Sequence, residues 1–206
     1  MKRCVIIGGA PINNYERIKQ KLNNNDYFIF CDSGLNHLDK LSINPSLIVG
    51  DFDSHKNPNL DIETITLPTV KDDTDTMFAV KEGLKRGFDE FLLLGVIGLR
   101  IDHSLGNLSI LLYLEKEGKK ASIIDDYSEI EIVGKCEKYI EDTYKYFSII
   151  SSGDIISGVT IKNAKYALNK AQITNYFALG VSNEVIKGKC ASVKIDDGFA
   201  YLIKVF

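Results

Sequence analysis

The chain has 206 residues, enough for one large domain or two small ones, and its 45% hydrophobic and 26% charged composition excludes wholesale disorder. A net charge of -3 without a long basic block argues against nucleic acid as the main partner, so any phosphate must be handled locally, by a few cations or a metal. No apolar run approaches the ~20 residues of a membrane span.

In chain order, the first 130 residues alternate short apolar runs with amphipathic segments. Residues 3–9 (RCVIIGG) read as a strand meeting a glycine turn, 14–22 as a helix, 27–34 (YFIFCDSG) as a second strand and 35–41 as a short helix. A third strand follows over 46–54 (SLIVGDFDS), and a shorter fourth over 62–67. Met77, Val80 and Leu84 recur at helical spacing, which predicts a helix over 74–87 stopped by Gly87. A strand over 89–98, a helix over 102–118 and a strand over 120–126 complete this half. Near-continuous apolar strands separated by helices imply a Rossmann-like parallel sheet with helices on both faces. After about residue 130 come β-rich pieces with turn signals between them, and only 166–174 is open to a helical reading. That is the pattern of a small antiparallel β-sandwich. The expected organisation is an α/β domain over 1–130 followed by a C-terminal β-sandwich over 131–206.

In an open parallel sheet, ligands bind outside the carboxyl ends of the strands. Gly8 and Gly9 follow the first strand, Asp32, Ser33 and Gly34 the second, and Asp51, Phe52, Asp53 and Ser54 the third. KDDTD (Lys71, Asp72, Asp73, Thr74, Asp75) opens the next helix, and GLRIDHSLGN, with Arg100, Asp102, His103 and Asn107, opens another. Singly, these features have plain structural readings. An Asp at a helix start is usually a cap worth ~1 kcal/mol, and Asp73 fits that role. Asp-Ser-Gly and Gly-Gly are ordinary turns. His103 reads as a helix-start or surface residue, and His37 and His55 carry nothing more specific.

Jointly, Asp32, Asp51, Asp53, Asp72 or Asp75, and Asp102 converge on one rim. Converging carboxylates raise one another's pKa or need a cation. An all-oxygen set without a Cys or His cluster favours Mg²⁺ over zinc, and Mg²⁺ on carboxylates normally brings phosphates. Arg100 and Lys71 are the local cations that phosphate oxygens would want. Residue chemistry alone therefore implies a Mg-nucleotide site. It is not a P-loop, because GGAPINNYE lacks the Gly-Lys-Ser/Thr ending.

In that order and roughly that spacing, DSGLNHL, PSLIVGDFDS, KDDTD and GLRIDHSLGN closely resemble the thiamine pyrophosphokinase (thiamine diphosphokinase) family, and SGVTIKNAKYAL followed by LGVSNE resembles its thiamine-domain signature. The resemblance covers essentially the whole chain. It implies a Mg²⁺-dependent enzyme that transfers the β,γ-diphosphoryl group of ATP to the hydroxyethyl oxygen of thiamine and releases AMP. It also implies a nucleotide-binding first domain, a thiamine-binding sandwich, and a homodimer with thiamine at the subunit interface. Carried over by motif, Asp51, Asp53, Asp75 and Asp102 belong to the metal and phosphate site, with Asp32 beside them. Lys71, Arg100 and Asn107 would contact phosphates or order the loops, with Gly8, Gly9, Ser33, Ser54, Asp72 and Thr74 on the same ATP side. Ser182 and Asn183 would serve the thiamine side. The chain departs from the family pattern at Ser33 and Leu99, where glycine is expected, and at Ala167, where proline is common. It has no Trp, so any aromatic stacking on thiamine falls to residues such as Tyr176 and Phe177.

Two alternatives remain at this level. One is a haloacid-dehalogenase-like phosphatase with Asp51 as nucleophile, disfavoured because that motif normally sits on the first strand, or another Mg-dependent phosphotransferase. The other is a non-enzymatic nucleotide sensor. Cys4, Cys31, Cys136 and Cys190 show no metal or redox spacing, and the Val5–Ile7 apolar run is too short for a signal peptide. Reduced, mostly buried cysteines in a cytoplasmic protein that binds neither membrane nor nucleic acid are expected.

Overall fold

The computed structural model describes residues 3–52, 61–68, 73–177 and 179–206. The chain forms two compact units, Met1–Asp126 and Tyr127–Phe206.

In the first unit the apolar runs become β1 (Arg3–Ile7), β2 (Tyr27–Cys31), β3 (Leu47–Gly50), β4 (Thr64–Thr66), β5 (Glu90–Leu94) and β6 (Lys120–Ile124). They pair in parallel in the order β4-β3-β2-β1-β5-β6, with Ile7 level with both Phe30 and Leu94. In β1, β2, β3 and β5, successive residues are buried without alternation, as a sheet covered on both faces requires. The helices are α1 (Tyr15–Lys19), α2 (Leu38–Leu41), α3 (Asp75–Lys85) and α4 (Ile101–Lys116). α3 packs on β1, β2 and β3, and α4 packs on β6. Thr74 starts α3 by accepting a hydrogen bond from Met77 N at 3.2 Å, and Gly87, at φ +81°, ends the segment. Among the described residues no helix is long and apolar enough to cross a membrane.

Three boundaries differ from the sequence reading. The second strand stops at Cys31, and Asp32–His37 form a 3-10 helix that runs into α2. Asp, Ser and Gly favour turns over sheet ladders, which accounts for the early stop. α1 is shorter than expected because Lys21 N and Leu22 N bond back to Ile18 O and Lys19 O, tightening its end before the asparagine run. The third strand ends at Gly50, ahead of the acidic motif.

The second unit is an antiparallel sandwich. One ladder holds β7 (Ser128–Val133), β13 (Ala200–Val205) and β9 (Tyr146–Ser151). The other runs β11 (Leu168–Thr174), β10 (Ile155–Lys162), β12 (Cys190–Lys194), β8 (Lys138–Glu141). Phe147, Ile149 and Leu202 of the first meet Ile140, Val159, Ile161 and Val193 of the second in one core. The segment open to a helical reading is strand β11: pairing with β10 decides its form, although Ile173 is its one fully buried residue. Cys4 and Cys31 are buried, as expected, but Cys136 and Cys190 are exposed, and all four are free.

Charges enter this sandwich only as partners. Lys204 alternates inward with Ala200 and Leu202, is 6% exposed, and sits 2.7 Å from Glu129 Oε1 and 2.9 Å from Glu131 Oε1. Lys138, from the opposite ladder, reaches Glu131 Oε2 at 2.6 Å, and the Tyr144 hydroxyl donates to Glu129 Oε2 at 2.9 Å. Burial alone would push the Lys204 ammonium down, but Glu131 and Glu129 outweigh it and raise its pKa. A raised lysine pKa stabilises the fold fully below the unfolded-state value of about 10.4, and that contribution is lost as pH rises through the folded value. Lys204→Ala leaves two half-buried carboxylates without their shared cation, and urea unfolding should read a loss of about 3 kcal/mol. Adding Glu129→Gln and Glu131→Gln should recover part of it.

Candidate active site

The chain runs from β1 through β2 and β3 to β4 on one side of the sheet, then returns to β5 on the other. Strand order therefore reverses beside β1, the place where turns leave an open α/β sheet in opposite directions and a crevice forms. A cleft of about 620 Å³ lies there, bounded by the turns after β1, β2, β3 and β5 and by the starts of α3 and α4.

Two hydrogen bonds join the turns after β1 and β5: Gly8 N donates to Leu94 O at 2.8 Å, and Ala10 N to Gly95 O at 2.7 Å. Gly95 has φ +60°, and a Cβ there would stand 2.5 Å from Gly8 O, so both the conformation and the approach demand glycine. A Cβ on Gly9 would overlap Ser33 Oγ. The departure at Ser33 is thus accommodated: the side chain occupies the space that Gly9 leaves.

Gly8, Gly9, Asp32, Ser33, Asp51, Thr74, Asp75, Arg100 and Asn107 all line the cleft. Asp32 is 4% exposed, at the first position of the 3-10 helix, while Asp51 and Asp75 are half-buried. After Asp51 the backbone enters the left-handed region at Phe52, φ +56°, a conformation that costs a bulky residue about 1–2 kcal/mol. Such strain is characteristic of functional turns. Thr74, and not Asp73 as expected, caps α3 with its hydroxyl, and Asp73 lies outside the cleft in an ion pair with Lys81 at 2.7 Å.

Asn107 Nδ2 donates to Val96 O at 2.7 Å and thereby orders the turn after β5. Ser104, which sequence reasoning missed, does the same at the far end of that turn, accepting from Gly98 N at 3.1 Å. Its only signal is its position one turn into α4. His103, read as a surface residue, is exposed but also lines the cleft. Leu99 stands almost fully exposed on the rim.

Asp102 is not among the lining residues. It sits on the first turn of α4 with Arg100 Nη2 at 2.5 Å from Oδ2 and Nε at 3.2 Å from Oδ1. This guanidinium holds the Asp102 carboxyl at about 2, below the ordinary carboxylate range. Asp53, Ser54, His55, Lys71 and Asp72 lie outside the described residues.

Ser182 and Asn183 belong to the second unit. Ser182 has φ +59°, and its N–H donates to Ser148 Oγ at 3.0 Å. Asn183 is buried. Its Oδ1 accepts from Tyr166 N at 3.0 Å and Glu184 N at 2.9 Å, and its Nδ2 donates to Tyr166 O at 2.8 Å. It therefore clamps the backbone beside Tyr166. Tyr166, Tyr176 and Phe177 expose their rings.

Asp32, Asp51 and Asp75 present oxygen donors, as Mg²⁺ requires. Among the described residues no cluster of three or more His, Cys, Asp or Glu could hold a metal alone. That still fits Mg²⁺, which usually takes one or two carboxylates and completes its shell with phosphate and water. In the metal-free protein, Arg100→Gln should raise the Asp102 pKa from about 2 toward 3.8, which a carboxyl NMR titration will read directly.

Two family models match the chain: "Thiamin pyrophosphokinase, catalytic domain" over residues 18–124, and "Thiamin pyrophosphokinase, vitamin B1 binding domain" over residues 132–200. The thiamine pyrophosphokinase of Bacillus subtilis (strain 168) is 29% identical over 197 residues, covering 92% of each chain. The crystal structure of a thiamine pyrophosphokinase from Bacillus subtilis superposes with a TM-score of 0.87 at 27% identity, covering 100% of this chain and 99% of that one. The yeast thiamin pyrophosphokinase, at 14% identity and a TM-score of 0.74 over 100% of this chain and 86% of its own, shares the fold. The catalytic-domain match alone takes in more than half of the residues, and on that ground the chain belongs to the thiamin pyrophosphokinase family.

Proposed function

We infer that this protein transfers the diphosphoryl group of ATP to the hydroxyl of thiamine, giving thiamine diphosphate and AMP. The observation that carries this reading is the pair of family matches in order along the chain, with the first unit bearing a carboxylate-lined cleft at its switch point. In this reading ATP belongs to the first unit and thiamine to the second, where Ser182, Asn183 and the exposed rings of Tyr176 and Phe177 are the candidates to meet it. A homodimer with thiamine at the subunit interface is part of the same proposal.

The nucleophile is a primary alcohol and the target is the β-phosphorus of ATP. Such transfers depend on in-line positioning and charge neutralisation, with little covalent chemistry from the protein. Asp51 and Asp75 would hold Mg²⁺, with Asp53 joining them by motif. When bound, the metal supplies neutralisation of polyphosphate charge. Arg100, paired with Asp102 at the rim, is the cation closest to hand for phosphate. Thr74 holds Asp75 on the cleft by capping α3, while Asn107 and Ser104 fix the turn that delivers Arg100. Asp75 and Asp102 are the two carboxylates open to the role of base, and Asp75 can take it only where Asp51 and Asp53 hold the metal without it. Asp75 lines the cleft, whereas Asp102 lies outside the lining.

The deciding measurement is AMP formation from ATP that requires both thiamine and Mg²⁺. ADP in place of AMP would mean single-phosphoryl transfer and would overturn the reaction. Phosphate release from a monoester would favour the phosphatase alternative, and ATP binding without product the sensor. Asp51→Asn, Asp53→Asn and Asp75→Asn should each lower kcat by about 10²-fold or more with the urea midpoint unchanged. Near-normal turnover in all three would remove the site assignment.

A further inference from the structure

We propose that His37 is a positioning residue for the nucleotide cleft, holding the turn after β1 in place through the Ala10 carbonyl. The proposal rests on the reading of this cleft as the ATP site. His37 closes the 3-10 helix whose first residues, Asp32 and Ser33, line the cleft, and it is 5% exposed. Its Nε2 lies 3.0 Å from Ala10 O and its Nδ1 2.7 Å from the Tyr15 hydroxyl. A carbonyl only accepts, so Nε2 carries the hydrogen, and Nδ1 of the neutral ring accepts from the tyrosine. Burial pushes the imidazole below its ordinary pKa, opposed by the Ala10 carbonyl and aided by Lys40, which keeps the ring in this neutral form.

Ala10 is where three loops meet. Its N–H donates to Gly95 O at 2.7 Å, its carbonyl is taken by His37, and its Cβ would stand 2.8 Å from a Cβ added at Gly98. One imidazole therefore ties the helix after β2 to the turn after β1 and, through Ala10, to the loop that ends in Arg100. Gly34 of the same 3-10 helix packs directly on Ile7 O, which leaves that helix no room to shift toward β1. From the far side, the Asp126 carboxylate accepts from Asn13 N at 3.0 Å, Asn14 N at 2.8 Å and Asn13 Nδ2 at 2.8 Å. The turn is gripped at both ends, and His37 holds the end that lines the cleft. A net hydrogen bond of this kind corresponds to about 3- to 10-fold in an equilibrium constant.

The test compares parent, His37→Leu and His37→Gln. The readouts are calorimetric binding of α,β-methylene-ATP, whose α–β bridge cannot be cleaved, and the KM values for ATP and thiamine. Leu fills the space without a donor, while Gln places an amide N–H close to where Nε2–H stood. His37→Leu should weaken the analogue and raise the ATP KM about 3- to 10-fold with the thiamine KM unchanged, and His37→Gln should return both to within about twofold of the parent. A purely structural role would lower the urea midpoint of His37→Leu while Kd and KM stay at parent values. That result, or a Gln variant as weak as the Leu variant, overturns the proposal. If His37→Leu does not fold, Tyr15→Phe removes only the hydroxyl that fixes the tautomer; weaker analogue binding supports the role, and parent-like binding overturns it. A parent that binds the analogue yet forms no thiamine-dependent AMP defeats the functional reading alone, and the affinities still decide His37. A parent that does not bind the analogue defeats both.

Discussion

Gly8 and Ala10 extend the hydrogen bonding of β1 beyond its last residue, reaching Leu94 O at 2.8 Å and Gly95 O at 2.7 Å. These bonds keep the turns after β1 and β5 together at the point where strand order reverses, and the cleft takes its shape from that junction. The strands on either side of it deliver the remaining lining groups. Asp32 follows the neighbouring strand β2, Asp51 follows β3, and the loop after β5 delivers Arg100 to the rim. The junction is close enough to exclude a Cβ at Gly95, and Ser33 fills the space beside Gly9. At Ser33 a departure from glycine is possible because Gly9 makes room, and at Leu99 because the side chain stands exposed.

The two units place their acidic residues differently. In the sandwich, Glu129 and Glu131 share Lys204, and Lys138 and Tyr144 satisfy their remaining oxygens, so the buried charges are answered within the unit. Buried ions without such partners cost several kcal/mol each. At the cleft, buried Asp32 and half-buried Asp51 and Asp75 share one lining, and the nearby guanidinium of Arg100 is engaged by Asp102 outside it. One arrangement consolidates a fold. The other sets carboxyl groups around a cleft of about 620 Å³. The strained turn at Phe52 belongs to the second, since a left-handed bulky residue is retained only where its surroundings hold it there.

Much of the fold is legible because strand and helix periods are local properties. The unbroken apolar runs of β1, β2, β3 and β5 announce a sheet buried on both faces, and Met77, Val80 and Leu84 announce α3. Leu168–Thr174 resists such a reading because one fully buried residue, Ile173, carries no period, and β10 supplies the missing information by pairing. The site is legible as a set of acids at strand ends, and Asn107 as a residue that orders a loop, but two supports are not. Ser104 and His37 act through backbone groups of Gly98 and Ala10, and nothing in their immediate neighbours marks which carbonyl or amide they will meet.

By itself, then, the sequence determines that acidic and glycine-rich turns follow successive apolar strands, and that the last third of the chain is β-rich, because residue type and periodicity are written locally. Only the tertiary structure decides which of those acids share a cleft. Asp51 and Asp75, far apart in the chain, line one cavity, while Asp102, two residues from Arg100, falls outside it and binds that arginine instead. The reason is physical: the lining depends on strand order and on the direction each turn leaves the sheet, and both are set by long-range pairing between β1, β2, β3 and β5.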